Sequence, residues 1–197
     1  MSRKLTLDDI ADMRAYERER DGFRTRVIAL KQRRRVHVGT VVTMVFENRE
    51  TIRFQIQEMA RVERIASDTG IQDELDVYNP LVPEPGQLCA TLFIELTSDD
   101  QMREWLPKLV GIERAILFRL SDGAEVRCQV DPQHASQLTR HHVTAAVHYV
   151  TFEFTPAQID AFGPGTVLVI DHPAYREEVE LSAATLAELV ADLGIRV

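Results

Sequence analysis

The chain has 197 residues, 45% of them hydrophobic and 27% charged, with nine Gly and eight Pro; this is the composition of a folded globular chain, and it excludes disorder, collagen-like repeats and coiled coil. A chain of this size buries roughly 70% of its unfolded surface, enough for a core without disulfides or a structural metal, and no apolar run approaches the roughly 20 residues of a membrane-spanning helix. The formal charge is −8 but polarised, with 15 Lys and Arg against 10 Asp and Glu in residues 1–64 and 8 against 21 in residues 65–197, so the two ends either attract each other within the fold or steer an anionic partner to the basic end.

In chain order, Thr6 with Asp9 three residues on predicts a helix start, followed by a charged stretch to Asp21 and a second helix over residues 23–31. Residues 1–35 thus form a helical, basic-rich segment. After Arg33, Arg34 and Arg35, residues 36–46 are rich in β-branched side chains and broken by Gly39, which predicts a strand pair or one bent strand. Residues 49–66 lack Gly and Pro and carry apolar positions at helical spacing. A short helix over 71–78 ends before Asn79-Pro80, because the residue preceding a proline avoids the helical region. Residues 88–96 are apolar nearly throughout, as in a strand covered on both faces. Helix over 99–110 follows, then a hairpin turning at Ser121-Asp122-Gly123, a His-rich link, a strand over 147–154, a short helix opened by Thr155-Pro156, strands over 167–170 and 177–181, and a helix capped by Ser182 and ended at Gly194. The pattern is that of an α+β chain, a single compact domain over residues 1–197 with a mostly antiparallel sheet and helices packed on it.

Polar groups in apolar settings mark the candidate site. On a helical wheel, Ile52, Ile56, Met59, Val62, Ile65 and Ala66 share one arc, and Arg53, Gln57, Arg61 and Arg64 the opposite one. Gln55, Glu58 and Glu63 break into the apolar arc, where an unpaired buried carboxylate costs several kcal/mol. Either they line a polar pocket, with Glu58 or Glu63 binding a metal, a cation or a proton in transfer, or internal partners or the rim satisfy them. Glu47-Asn48-Arg49 joins a strand to this helix. Arg49 at a helix N-terminus suits an anion, although Asn48 as a cap and an Arg49–Glu47 pair would equally explain the tripeptide. His134, His141, His142 and His148 fall within fifteen residues, as a transition-metal cluster or as an exposed loop. His148 and Tyr149 are consecutive on a strand, which puts one ring on each sheet face. Asp171-His172-Pro173 with Tyr175 is either a displayed acid, imidazole and phenol or a turn fixed by Pro, and Tyr78-Asn79 before Pro80 either touches a ligand or shapes a turn. Glu58, Glu63, His148 and His172 are thus the metal-ligand candidates, and no pattern names a cofactor. Cys89 and Cys128, without a CxxC spacing, fit buried thiols in a reducing compartment. The absence of an apolar segment behind the basic N-terminus gives the cytoplasm as the expected location. Phosphate loops, dinucleotide fingerprints and GxSxG elbows are missing.

The segments Arg-Val-Ile-Ala-Leu-Lys at 26–31, Arg-Arg-Val-His-Val-Gly at 34–39, Phe-Glu-Asn-Arg at 46–49, Gln57-Glu58-Met59, Glu74-Leu75, Tyr78-Asn79-Pro80-Leu81, Ala-Thr-Leu-Phe-Ile-Glu at 90–95 and Asp-His-Pro-Ala-Tyr at 171–175 together resemble a bacterial family known as domain of unknown function 3501, over nearly the whole chain. The family brings no activity with it. The resemblance implies a setting, since members are often encoded beside a rubrerythrin-like di-iron protein and a cysteine-rich iron–sulfur protein, which points to a cytoplasmic redox system.

Two functions follow as expectations. The first is an accessory or binding subunit of such a redox or oxidative-stress system, with the rubrerythrin-like and iron–sulfur proteins as partners and charge polarity aiding docking. The second is an enzyme on a small anionic metabolite, with Glu58 or Glu63 as acid, base or metal ligand, Arg49 as anion clamp and His148 or His172 completing the site, which requires these side chains to line one cavity. Nucleic-acid binding through Arg33, Arg34, Arg35 and the Arg53/Arg61/Arg64 face is disfavoured by the acidic total and scarce aromatics, and a membrane role by the lack of a spanning segment.

Overall fold

A computed structural model of the chain describes residues 3–130, 139–140 and 143–194. Its strands are β1 (Arg35–Val38), β2 (Val42–Glu47), β3 (Gln87–Ile94), β4 (Ile116–Arg119), β5 (Glu125–Arg127), β6 (Thr139–Arg140), β7 (Val143–Thr144), β8 (Val147–Glu153), β9 (Val167–His172) and β10 (Tyr175–Glu180). The α-helices are α1 (Met13–Arg33), α2 (Arg49–Glu63), α3 (Asp68–Tyr78), α4 (Asp99–Lys108), α5 (Pro156–Ala161) and α6 (Ala183–Leu193). The fold is α+β, built on two antiparallel four-stranded sheets ordered β1-β2-β3-β8 and β10-β9-β4-β5, beside the short β6-β7 pair.

The two sheets enclose a core rich in phenylalanine. Strand alternation sends Val42, Met44 and Phe46 of β2 and Leu88, Ala90 and Leu92 of β3 into it. Phe118 of β4 is its centre, with ring centroids 5.7 Å from Phe46, 4.7 Å from Phe152 and 5.4 Å from Phe162. The sheets are tied at both margins. Gln129, just beyond β5, bridges Thr151 of β8, and the Tyr175 hydroxyl at the start of β10 donates to the Val38 carbonyl at 2.7 Å while accepting from the Val41 N–H at 3.1 Å. Gly39 sits in the left-handed region at φ 71°, and a Cβ there would run into the Tyr175 hydroxyl and the Glu177 side chain. Cys89 and Cys128 are free and buried; burial pushes both thiols up, Cys128 to about 11, so both stay protonated at neutral pH.

The outward face of the first sheet is covered by the helical N-terminal half. Three expectations change there. Thr6 and Asp9 do form a capping box, but on a single 3-10 turn, Leu7–Asp9. One unbroken helix, α1, then replaces the separate helix expected from residue 23; Asp12 caps it by accepting from the Arg14 and Ala15 N–H groups. Gly22 inside it costs about 1 kcal/mol against Ala, and the helix runs on because Tyr16, Phe23 and Val27 are buried on one side, with Phe23 edge-on to both Tyr16 and Phe54. The wheel of α2 is rotated as well. Ile52 and Ile56 face inward as expected and Ala60 joins them, but Val62 is 67% exposed, Glu63 is exposed, and Gln57 is 2% exposed. Gln57 is stable inside because its amide accepts from the Ala11 N–H at 2.8 Å and donates to the Ala11 carbonyl at 3.2 Å.

The basic triplet does not form a free cationic patch. Arg34 is fully buried. Its guanidinium donates to the Phe46 carbonyl at 2.8 Å and the Glu47 carbonyl at 3.3 Å, and pairs with Glu188 and Asp192 of α6. Arg33 pairs with Glu188 and Arg35 with Glu95. Part of the charge polarity read from the sequence is therefore attraction between the two ends within the fold.

Candidate functional site

Glu47 is the last residue of β2, and the alternation that points Phe46 into the core points Glu47 out toward the helices. Its backbone is fixed on both sides. Arg34 grips its carbonyl, and Asn48 caps α2 by accepting from the Thr51 N–H at 3.0 Å. The carboxylate is 5% exposed. One oxygen, Oε1, accepts from the Thr91 hydroxyl of β3 at 2.8 Å, whereas Oε2 is buried and has no hydrogen-bond partner. Among the described residues its ion-pair partner is the Lys31 ammonium of α1, 3.8 Å from Oε2 and beyond hydrogen-bonding distance. A buried carboxylate oxygen without a donor costs several kcal/mol relative to a satisfied one.

Glu47 lines a cleft of about 140 Å³ between the first sheet and the helices. Lys31, Glu47, Gln55, Tyr78, Thr91 and Tyr149 supply its polar groups, and Ile52, Leu81, Phe93 and Val147 its apolar walls. The register explains the assembly. Thr91 pairs with Val45 on one side and with Tyr149 on the other, which lines up the outward side chains of β2, β3 and β8 under α2 and the end of α3. Burial, and then neighbouring Tyr78 and Glu47, push the Tyr149 hydroxyl above its ordinary value, so it stays a protonated phenol at neutral pH.

Of the residues singled out in the sequence, Glu47, Gln55 and Tyr78 meet in this cleft. The others are elsewhere. Arg49 pairs with Asp9 at 2.5 Å, not with Glu47, and lines a separate cleft with Arg3, Asn48 and Asp192. Glu58 is held by Arg20 through two bonds of 2.7 and 2.9 Å and by the Tyr16 hydroxyl at 2.7 Å, with Arg61 3.4 Å away. Glu63 is exposed. Asn79 clamps the N-terminal segment, its amide accepting from the Leu5 N–H at 2.8 Å and donating to the Leu5 carbonyl at 2.9 Å. His148 points into the core, its Nε2 2.7 Å from the Thr144 hydroxyl and 3.0 Å from the Ala145 carbonyl. His172 joins the Val110 carbonyl and the Ala174 N–H at 3.1 and 3.2 Å, and Tyr175 closes the sheet margin.

Glu58 and Arg49 thus open onto different surfaces, and the single cavity required of an acid or base beside an Arg anion clamp is not formed by these residues. Among the described residues no three His, Cys, Asp or Glu side chains gather as a metal-ligand group; His134, His141 and His142 lie outside them. Lys31, Thr91 and Tyr149 were not candidates from the sequence. A signal existed for Tyr149, whose neighbour His148 had to take the opposite sheet face, whereas nothing in the sequence brings Lys31, at the far end of a helix, over β2.

The family model for a protein of unknown function (DUF3501) matches residues 4–193. A crystal structure of a novel protein of unknown function from Burkholderia pseudomallei K96243 is similar to this chain at 38% identity, covering 96% of this chain and 99% of that one with a TM-score of 0.87. No curated protein matches. With a match that spans nearly its whole length, the chain belongs to the DUF3501 family.

Proposed function

We propose that the protein is a small-molecule-binding subunit whose site is the Glu47 cleft. The observation that carries this reading is a Glu47 carboxylate whose buried Oε2 has no hydrogen-bond donor, beside a cleft flanked by two tyrosines. Buried polar atoms are satisfied in folded proteins with few exceptions, and an exception in a cleft marks the place where a ligand supplies the missing donor. The volume sets the ligand's size, since a void of roughly 150 Å³ accommodates one six-membered ring. The experiment is ligand-observed NMR of the full chain with a mixture of polar ring-sized fragments. Wild type gives saturation transfer to at least one fragment and Glu47→Gln does not; a mixture with no Glu47-dependent signal contradicts the role.

The setting we propose is a cytoplasmic redox or oxidative-stress system, with a rubrerythrin-like protein and a cysteine-rich iron–sulfur protein as physical partners. It is supported by the resemblance of the sequence and by the acid-rich remainder of the chain, where Asp99, Asp100, Glu104, Asp122 and Glu125 are exposed and available for docking of a basic partner. Co-purification of both partners with this chain at low salt, lost at high salt, is the expected outcome; clean separation at low salt contradicts it. Among the described residues no helix is long and apolar enough to cross a membrane.

A further inference from the structure

We infer that the Glu47 cleft selects a neutral aromatic ring bearing a hydrogen-bond donor, an O–H or a ring N–H, over ions of either sign; this rests on the binding role proposed above. The argument begins with the two charges already present. Lys31 Nζ lies 3.8 Å from Oε2, so any atom within hydrogen-bonding reach of Oε2 is also within about 7 Å of the ammonium. The repulsion of a cationic ligand by Lys31, screened on its exposed side, then offsets part of the attraction to Glu47. What remains is set against the several kcal/mol needed to strip an ammonium of water in a cleft with walls of Ile52, Leu81, Phe93 and Val147.

An anion meets the reverse problem. Glu47 is fixed and buried, whereas the Lys31 side chain is 28% exposed, so repulsion acts at short range inside the cleft while attraction is screened by water. A neutral donor avoids both penalties. It satisfies Oε2 by a charge-assisted hydrogen bond, stronger than a neutral one, without losing ionic hydration. The shape points the same way. Tyr78, Tyr149 and Phe93 line a space of single-ring size, and aromatic pairs in offset or edge-on contact add to the gain from burial.

The test is titration of the full chain at neutral pH, by calorimetry or NMR shift, with phenol, toluene, benzylammonium and benzoate, which share a ring and differ in donor and charge. Phenol is expected to bind at least about tenfold more tightly than each of the other three, since one charge-assisted bond exceeds the 1.4 kcal/mol of a tenfold ratio. Lys31→Met, which keeps the length of the stem, should strengthen benzylammonium binding relative to phenol by about tenfold. Benzylammonium or benzoate binding wild type as tightly as phenol, or benzylammonium unmoved relative to phenol by Lys31→Met, overturns the neutral-donor assignment while leaving a cleft that binds. If none of the four binds in a manner that Glu47→Gln abolishes, the binding role fails and this assignment with it.

Discussion

Glu58 shows what a carboxylate looks like when its neighbours are complete. Arg20 holds it foremost, and with Tyr16 outweighs its partial burial, drawing its pKa down from 4.5 to about 2. A folded-state value below the unfolded one means stability that is fully present above about pH 4.5 and lost as pH falls toward 2. With a quarter of the side chain reached by water, the effect is of the order of 2 kcal/mol. Acid titration of stability, followed by urea unfolding at each pH, should show this limb in wild type and lose it in Glu58→Gln. His148 acts in a higher window. Burial lowers its pKa below 6.5, so it is kept neutral, and stability should begin to fall as pH drops below 6.5; an unfolding free energy flat from pH 7 to 5 would contradict that assignment. Glu47 differs from both, for one of its oxygens has no donor at all.

At the scale of elements, two side-chain amides hold the N-terminal segment against α2 and α3. Gln57 clamps Ala11 and Asn79 clamps Leu5, each through a donor and an acceptor on the same residue's backbone. Asn79→Ala leaves two backbone groups of Leu5 unpaired and should cost about 1–3 kcal/mol in denaturant unfolding; a change within 0.5 kcal/mol, the usual range of a surface substitution, would show that the clamp is dispensable. The end of α2 carries strain of another kind. Arg64 is exposed and sits in the left-handed region at φ 57°, where a side chain is disfavoured and glycine is not. Arg64→Gly is expected to stabilise by about 0.5–1 kcal/mol, and a loss of stability would contradict the geometry.

The elements were largely legible in the sequence and the pairings between them were not. β2 announces itself by a β-branched run and β3 by a nearly unbroken apolar one, and α5 and α6 by Thr155-Pro156 and by Ser182 with Gly194. The wheel of α2 misplaced Gln57 and Val62 because hydrophobicity alone decides a wheel, whereas Gln57 is buried by two hydrogen bonds to a segment 46 residues away. The same limit hid half of the cleft. Glu47, Gln55 and Tyr78 stood out as polar groups at element ends or on an apolar arc, but Lys31 and Tyr149 reach them only through tertiary packing, which no local pattern encodes.

In the whole molecule, the first sheet separates two environments. Its inner face shares the phenylalanine core with the second sheet, and its outer face, roofed by α2 and α3, carries the Glu47 cleft. Phe118→Ala should cost about 3–5 kcal/mol, because it removes the ring against which Phe46, Phe152, Phe154 and Phe162 all pack. A cost below 1 kcal/mol in calorimetry would mean that the sheets are held chiefly by their margins. The rigidity of that core bears on the outer face, since β2 and β3 present Glu47 and Thr91 from the same backbones that carry Phe46 and Leu92 inward.

If the unpartnered oxygen of Glu47 serves a ligand, the ligand-free protein retains it at the expense of stability, as binding sites commonly do. Glu47→Gln keeps the acceptor for Thr91 and replaces a buried charge by a neutral amide. Thermal unfolding of the ligand-free variant should therefore give a Tm equal to or above that of wild type. A fall of more than about 4 °C, equivalent to roughly 1–2 kcal/mol for a chain of this size, would show that Glu47 is a structural residue and would contradict the assignment of the cleft.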